Sequence, residues 1–125
     1  MLVIDDDPEL CEEIMDIFKD EGYEVVCILN PYEGISIIEK DAHDIVLLDY
    51  KMPGITGVDI LKRIRNRNLQ ARIFMVSGRP FVEKLIKEEG LSDMVVAVIP
   101  KPIDLNYLLE KIRSCSNGTA IEKSQ

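Results

Sequence analysis

The sequence lacks any apolar segment long enough to cross a membrane. Its longest apolar run covers residues 94–99, whereas a transmembrane helix needs about 20 residues. The amino terminus also lacks a basic stretch followed by a secretory apolar core, because three consecutive aspartates begin at Asp5. These absences predict a cytoplasmic protein that has no membrane partner.

Cysteine is scarce, and the cysteines are odd in number. Cys11, Cys27 and Cys115 occur without any CxxC spacing. An odd count without paired spacing argues against a disulfide framework and against a zinc site. We interpret the three residues as buried, reduced thiols.

Positive charge is deficient as well. The chain has 15 Lys and Arg against 23 Asp and Glu, which gives a formal net charge of −8. This charge repels the phosphate backbone of nucleic acids, and no Lys/Arg stripe with interleaved aromatic residues offsets it. We therefore predict no direct binding of nucleic acid. The phosphate-binding patterns GxxxxGK[ST] and GxGxxG are absent too.

What the sequence does contain is an alternation of strand and helix patterns within a length of 125 residues, which is typical of one domain. We interpret five apolar, β-branched runs as buried strands, at residues 2–4, 24–28, 45–48, 73–76 and 94–99. Helical patterns follow them at residues 10–18, 31–40, 58–64, 80–89 and 105–112. This alternation predicts a mostly parallel sheet with helices on both faces. Residues 1–115 would form the domain, and residues 116–125 a flexible tail or the start of a linker.

Polar residues stand where the predicted strands end. The first strand is followed by Asp5 and Asp6, the third by Asp49, the fourth by Ser77 and the fifth by Lys101. Ligands of parallel α/β sheets bind beyond the carboxyl ends of the strands, so these side chains are expected to converge. Carboxylates are ligands for Mg²⁺, a carboxylate can attack phosphorus, and an ammonium and a hydroxyl can hold phosphoryl oxygens. The pattern indicates phosphoryl transfer.

Four stretches resemble the signatures of response-regulator receiver domains. They are LVIDDDPEL, IVLLDYKMPGITGVDIL, IFMVSG and IPKPID, which occur in this order and span nearly the whole chain. The resemblance implies an α/β, flavodoxin-like fold with a doubly wound, five-stranded parallel sheet in the order 2-1-3-4-5 and five helices. It also implies that Asp49 is the phosphoacceptor.

The resemblance assigns a role to each residue of the predicted site. Asp6 would bind Mg²⁺ directly, Asp5 would act largely through water, and the backbone carbonyl of Lys51 would be a further ligand. The implied metal ligands are therefore Asp5, Asp6, Asp49 and Lys51, and the implied phosphoryl-transfer residues are Asp49, Ser77 and Lys101. The peptide bond between Lys101 and Pro102 would be cis.

The implied function is a switch in a phosphorelay and not an enzyme. A histidine kinase or histidine phosphotransfer protein would present a phosphohistidine, and Asp49 would accept the phosphoryl group. The adduct would then shift a two-state equilibrium of the domain. The implied downstream partner is an effector protein or effector domain, and a phosphorylation-dependent dimer is compatible with this function.

Two features depart from the family pattern. Receiver domains usually carry Tyr or Phe three residues before the lysine, whereas this sequence has Val98 there. The stretch from Ser77 to Lys101 is also slightly longer than typical. The first departure removes the usual aromatic readout, and the second reshapes the face formed by the fourth helix and the fifth strand.

Two other functions compete with this interpretation. Asp5 and Asp7 imitate the DxD motif of aspartyl-phosphate hydrolases of the haloacid dehalogenase type. However, Glu9 stands where Thr or Val is expected, and the chain has no room for a substrate-capping domain. The second competitor is a pseudo-receiver that keeps the fold as an interaction module, and the complete set of acidic and lysine positions argues against it.

Overall fold

The computed structural model describes the backbone of residues 1–124 and the side chains of residues 1–115. In this part of the chain the strands are, in sequence order, β1 (Leu2–Ile4), β2 (Val26–Ile28), β3 (Ile45–Asp49), β4 (Lys51–Met52), β5 (Ile55–Thr56), β6 (Arg72–Ser77) and β7 (Val95–Pro100). Five of them form a parallel sheet in the order β2-β1-β3-β6-β7. The predicted order 2-1-3-4-5 counts these five strands alone, and it is confirmed.

All five predicted helices are present. They are α1 (Pro8–Asp20), α2 (Pro31–Glu39), α3 (Gly57–Ile64), α4 (Val82–Glu88) and α5 (Leu105–Ser124), with a 3-10 turn at Ser92–Met94. Asp7 caps α1, because its side chain accepts hydrogen bonds from the backbone N–H groups of Glu9 and Leu10. No helix in the described residues is both long and apolar enough to span a membrane.

The sheet separates two apolar cores. Successive strand residues point to opposite faces, so Leu2 and Ile4 pack with α2, α3 and α4, whereas Val3 packs with α1 and α5. Phe74 and Met75 of β6 divide between the two cores in the same way. Helices therefore cover both faces of the sheet, as the alternation of elements predicted.

The connection from β3 to α3 contains a hairpin that the sequence pattern did not predict. Strands β4 and β5 pair antiparallel over two residues each, which is too short for a recognisable alternation. Thr56 and Asp59 then begin α3 with reciprocal hydrogen bonds between side chain and backbone. At the first position of α3, a Cβ on Gly57 would lie 2.7 Å from the carbonyl oxygen of Asp49. Only glycine lets this helix approach the end of β3 so closely.

Some boundaries differ from the predicted ones. β2 begins at Val26 instead of residue 24, and α4 begins at Val82 instead of residue 80. Phe81 is the residue before α4, and its side chain makes no capping hydrogen bond. The expectation of buried thiols is correct for Cys11 but wrong for Cys27 and Cys115, which are half-buried. The predicted tail at residues 116–125 lies outside the described side chains and stays a prediction.

Candidate functional site

The carboxyl ends of four neighbouring strands bring the predicted site residues together. Asp5 follows β1, Asp49 ends β3, Ser77 ends β6 and Lys101 follows β7. One carboxylate oxygen from each of Asp5, Asp6 and Asp49 lies within 4.8 Å of the other two. The convergence expected from the topology of a parallel sheet is therefore present.

A cavity of about 360 Å³ opens at this edge of the sheet. Five of the six predicted site residues line it, and the sixth, Asp5, is only 3% exposed. The Asp5 carboxylate accepts a hydrogen bond from the backbone N–H of Asp7 at 3.0 Å. The complete lining consists of Asp6, Asp7, Asp49, Lys51, Ser77, Gly78, Arg79 and Lys101.

The ammonium group of Lys101 bridges two buried carboxylates. Its Nζ lies 3.2 Å from Oδ2 of Asp5 and 3.1 Å from Oδ1 of Asp49. Asp6, by contrast, is exposed and faces the cavity. Three carboxylates against one ammonium leave the cluster with excess negative charge, which favours a bound cation.

The surroundings of Asp49 make its charged form costly. Burial raises the pKa of this carboxyl to about 6, the charge of Asp5 adds to the rise, and the ammonium of Lys101 opposes it. For Lys101, burial lowers the pKa, but the carboxylates of Asp49 and Asp5 outweigh burial and raise it. The two groups thus form a charged pair at neutral pH, while Asp49 stays close to its titration range.

This shift predicts that Asp49→Asn stabilises the metal-free protein at pH 8 and that the gain shrinks as the pH falls. The pKa of Asp49 is about 6 in the folded protein, against an ordinary value of 3.8, so the folded state binds a proton more tightly than the unfolded state does. Protonation of Asp49 therefore stabilises the folded wild type below pH 6, and this stabilisation is lost as the pH rises through 6. The shift corresponds to at most roughly 3 kcal/mol. Urea unfolding of both proteins in EDTA at pH 5 and pH 8 measures it. If the difference in free energy of unfolding between the two proteins is the same at pH 5 and pH 8, Asp49 is not a buried carboxylate with a raised pKa.

Ser77 is positioned by hydrogen bonds at the end of β6. Its side-chain oxygen accepts the backbone N–H of Arg79 at 2.9 Å, and its carbonyl accepts the N–H of Lys101 at 3.0 Å. A hydroxyl that accepts one hydrogen bond can still donate its own hydrogen. Ser77 therefore offers a donor to an oxygen atom in the cavity.

The structure also shows the cis bond and the position of Val98, the first of the two departures from the family pattern. The Lys101–Pro102 peptide bond is cis, as the resemblance implied. Val98 pairs with Met75 of β6 and packs partly buried against the core on the α2, α3 and α4 face. Its position therefore carries a small apolar side chain and no ring.

One contact beside the site was missed by the sequence reasoning. The rings of Tyr50 and Phe81 meet edge to face, with centroids 5.8 Å apart. No local pattern connects these two residues, which lie 31 positions apart along the chain. The cavity-facing position of Asp7, which also caps α1, was missed as well.

Comparison with known proteins places this geometry in a family. The sequence matches the response regulator receiver domain family over residues 1–113. A curated relative, the uncharacterized transcriptional regulatory protein YkoG of Bacillus subtilis, is 27% identical over 124 residues, which cover 98% of this chain and 54% of that protein. The chain thus spans about half the length of the transcriptional regulators that it matches first.

Solved structures agree with the family match. A CheY-like response regulator receiver domain protein from Methanospirillum hungatei superposes with a TM-score of 0.84 at 28% identity, over 97% of this chain and 95% of that one. The response regulator TrrA of Thermotoga maritima, solved in complex with Mg²⁺ and BeF, gives a TM-score of 0.75 at 26% identity, over 90% and 95% of the two chains. With its fold and its family match in agreement, the chain belongs to the response regulator receiver domain family.

Proposed function

We propose that this receiver domain accepts a phosphoryl group on Asp49, in the presence of Mg²⁺, from a histidine kinase or histidine phosphotransfer protein. The observation that carries the proposal is the buried Asp49 carboxylate, which is held by Lys101 next to two further carboxylates and opens onto a polar cavity. Receiver domains of response regulators interact with kinases and effector domains, and the partners proposed for this chain belong to those classes.

The acidic cluster fits a magnesium ion. Its three carboxylates come within 4.8 Å of one another, and the single ammonium of Lys101 leaves negative charge uncompensated. Mg²⁺ prefers one or two carboxylates, waters and phosphate oxygens. Asp6, Asp49 and the carbonyl of Lys51 would hold it directly, and buried Asp5 would act through water. The bound ion would neutralise charge on the transferring group.

Three residues of the site have a task in the proposed transfer. A carboxylate oxygen of Asp49 attacks phosphorus, so that an O–P bond forms while the P–N bond to the donor histidine breaks. With a pKa of about 6, Asp49 is mostly ionised at pH 7 and has the lone pair that attack requires. Lys101 and the Ser77 hydroxyl hold phosphoryl oxygens.

Phosphorylation of Asp49 would rearrange the charges that now balance the ammonium of Lys101. The ammonium lies 3.1 Å from an Asp49 oxygen, so new phosphoryl oxygens compete for it. A ligand that interacts differently with two conformations shifts the population between them. Uptake of one phosphoryl group from acetyl phosphate, dependent on Mg²⁺ and measured by intact-mass spectrometry, tests the proposal.

Lys51→Ala and Arg79→Ala are each expected to change the lifetime of the adduct several-fold. Both side chains are exposed and line the cavity, where they influence the approach of the hydrolysing water. Neither side chain is a proposed metal ligand, so Mg²⁺ affinity should stay nearly constant. Dephosphorylation rates measured by mass spectrometry check this, with Lys84→Ala on α4 as the control. Equal rates in all variants would remove these two residues from the mechanism.

We also propose a downstream effector protein or effector domain as a partner, a phosphorylation-dependent dimer, no direct binding of nucleic acid and a cytoplasmic location.

A further inference from the structure

Four of the five sheet strands end at a residue of the candidate site, and β2 is the exception. β2 leads through Leu29 to Asn30, whose side chain accepts hydrogen bonds from the backbone N–H groups of Tyr32 and Glu33 at the start of α2. The sheet is parallel, so the carboxyl end of β2 lies at the same edge as the acidic cluster. Tyr32 is therefore held at this edge, although it does not line the cavity.

The side chain of Tyr32 joins α2 to two other elements. Its hydroxyl donates a hydrogen bond to the carbonyl of Gly54 at 3.4 Å. The guanidinium of Arg63, in the last turn of α3, lies 5.8 Å from the centroid of its ring, and a cation over the face of an aromatic ring is attracted to it. The ring is 49% exposed, so its orientation depends on these two contacts more than on burial.

Gly54 lies at the tip of the hairpin that carries a proposed metal ligand. The hairpin begins with Lys51, whose backbone carbonyl is that ligand, and its strands pair over only two residues each. Pro53 and Gly54 form the turn between the strands, and Gly54 has a φ of +80°. An isolated two-stranded hairpin is marginally stable in water. The direction of the Lys51 carbonyl therefore depends on contacts that hold the hairpin against the rest of the domain.

The middle and the tip of the hairpin are held differently. Met52 and Ile55 are buried in the core on the α2, α3 and α4 face. Pro53 and Gly54, by contrast, are exposed. The hydrogen bond from the Tyr32 hydroxyl therefore restrains the part of the hairpin that the core does not reach.

We propose that Tyr32 is a positioning residue of the proposed magnesium site, because it holds the tip of the hairpin and with it the backbone carbonyl of Lys51. The role rests on the proposed function, since it requires an ion at that site, whereas the contact with the hairpin does not. Mg²⁺ demands nearly ideal octahedral geometry, while Ca²⁺ accepts flexible coordination. A loosened hairpin therefore penalises Mg²⁺ more than Ca²⁺, and Tyr32 contributes to the selectivity between the two ions.

Separate titrations of the metal-free protein with Mg²⁺ and with Ca²⁺, followed by NMR, test this role. Tyr32→Phe removes the hydroxyl and keeps the ring beside Arg63. It should weaken Mg²⁺ binding about two- to fivefold and Ca²⁺ binding by less than about twofold, as expected for the loss of one hydrogen bond that acts through geometry. Tyr107→Phe is the matched control, because Tyr107 is 41% exposed and has the ammonium of Lys111 at 5.6 Å from its ring. This control should keep both affinities.

The possible failures are distinguishable. Unchanged Mg²⁺ affinity in Tyr32→Phe would overturn the inference. An equal loss of affinity for Mg²⁺ and Ca²⁺ would overturn it too, because such a loss indicates general disruption of the site. A wild type that binds neither ion would instead overturn the proposed metal site on which the role rests.

Amide hydrogen exchange observes the hairpin without any metal. In EDTA, the backbone N–H groups of β4 and β5 should exchange about two- to fivefold faster in Tyr32→Phe than in the wild type, because the tip has lost its restraint. The N–H groups of β3 and β6 should exchange at the wild-type rate in both proteins. Equal exchange of the hairpin in the two proteins would show that Tyr32 does not hold it, and would overturn the inference whatever the metal affinities are.

Discussion

The Asp49→Asn variant will take up no phosphoryl group from acetyl phosphate, whereas the wild type will gain one when Mg²⁺ is present. The amide has nearly the shape of the carboxylate but lacks the anionic oxygen that attacks phosphorus. Asp5 and Asp49 are both buried, and both lie within 3.2 Å of the Lys101 ammonium, but of these two carboxylates only Asp49 lines the cavity. Intact-mass spectrometry with and without EDTA measures the uptake.

Asp7→Asn is the matched control for this substitution. Asp7 also lines the cavity, but its side chain accepts the backbone N–H groups of Glu9 and Leu10 at the start of α1. Asparagine caps helices about as well as aspartate, so this variant should be phosphorylated like the wild type. An Asp49→Asn protein with the wild-type yield of adduct would refute the assignment of the acceptor.

Magnesium will stabilise the wild type, and Asp6→Asn will abolish most of that gain. Asp5, Asp6 and Asp49 repel one another in the metal-free protein, because their oxygens lie within 4.8 Å. A ligand at 100 times its dissociation constant adds about 2.7 kcal/mol to the free energy of unfolding, provided that it binds only the folded state. Without metal, Asp6→Asn should be more stable than the wild type, because one of the repelling charges is gone.

Thermal melts in EDTA and in excess Mg²⁺ measure this effect. Asp7→Asn should keep the metal-dependent gain, since its side chain caps α1 and is not a proposed ligand. If the wild type melts at the same temperature in both conditions, the assignment of the metal site is wrong. The same conclusion would follow if Asp7→Asn lost the gain to the same extent as Asp6→Asn.

The sheet was predictable from its apolar strands, and the grouping of the site residues was predictable from the positions at which those strands end. Apolar runs predict the five sheet strands, and the rule that parallel strands share a carboxyl edge brings Asp5, Asp49, Ser77 and Lys101 together from the sequence alone. The sequence pattern does not reveal how deeply each side chain is buried. Asp5 and Asp6 are adjacent aspartates, yet Asp5 is buried beside Lys101 and Asp6 is exposed.

The features that were missed depend on short or long-range geometry. The β4–β5 hairpin pairs only two residues on each strand, and Gly57 is required by contacts with Asp49 and Met75 that only the folded chain creates. The contact between Tyr50 and Phe81 joins separate loops, so neither periodicity nor a motif indicates it. Such contacts decide how a site is connected to the rest of a domain, and they become visible only in three dimensions.

The most direct test of the central claim is to locate the phosphoryl group on the chain. Borohydride reduces an aspartyl phosphate to homoserine, so reduction of the protein after treatment with acetyl phosphate and Mg²⁺ marks the acceptor permanently. Peptide mapping by mass spectrometry should then find homoserine at position 49 and at none of the aspartates at positions 5, 6 and 7. Homoserine at one of those three positions, or a phosphorylated protein without homoserine, would contradict the account.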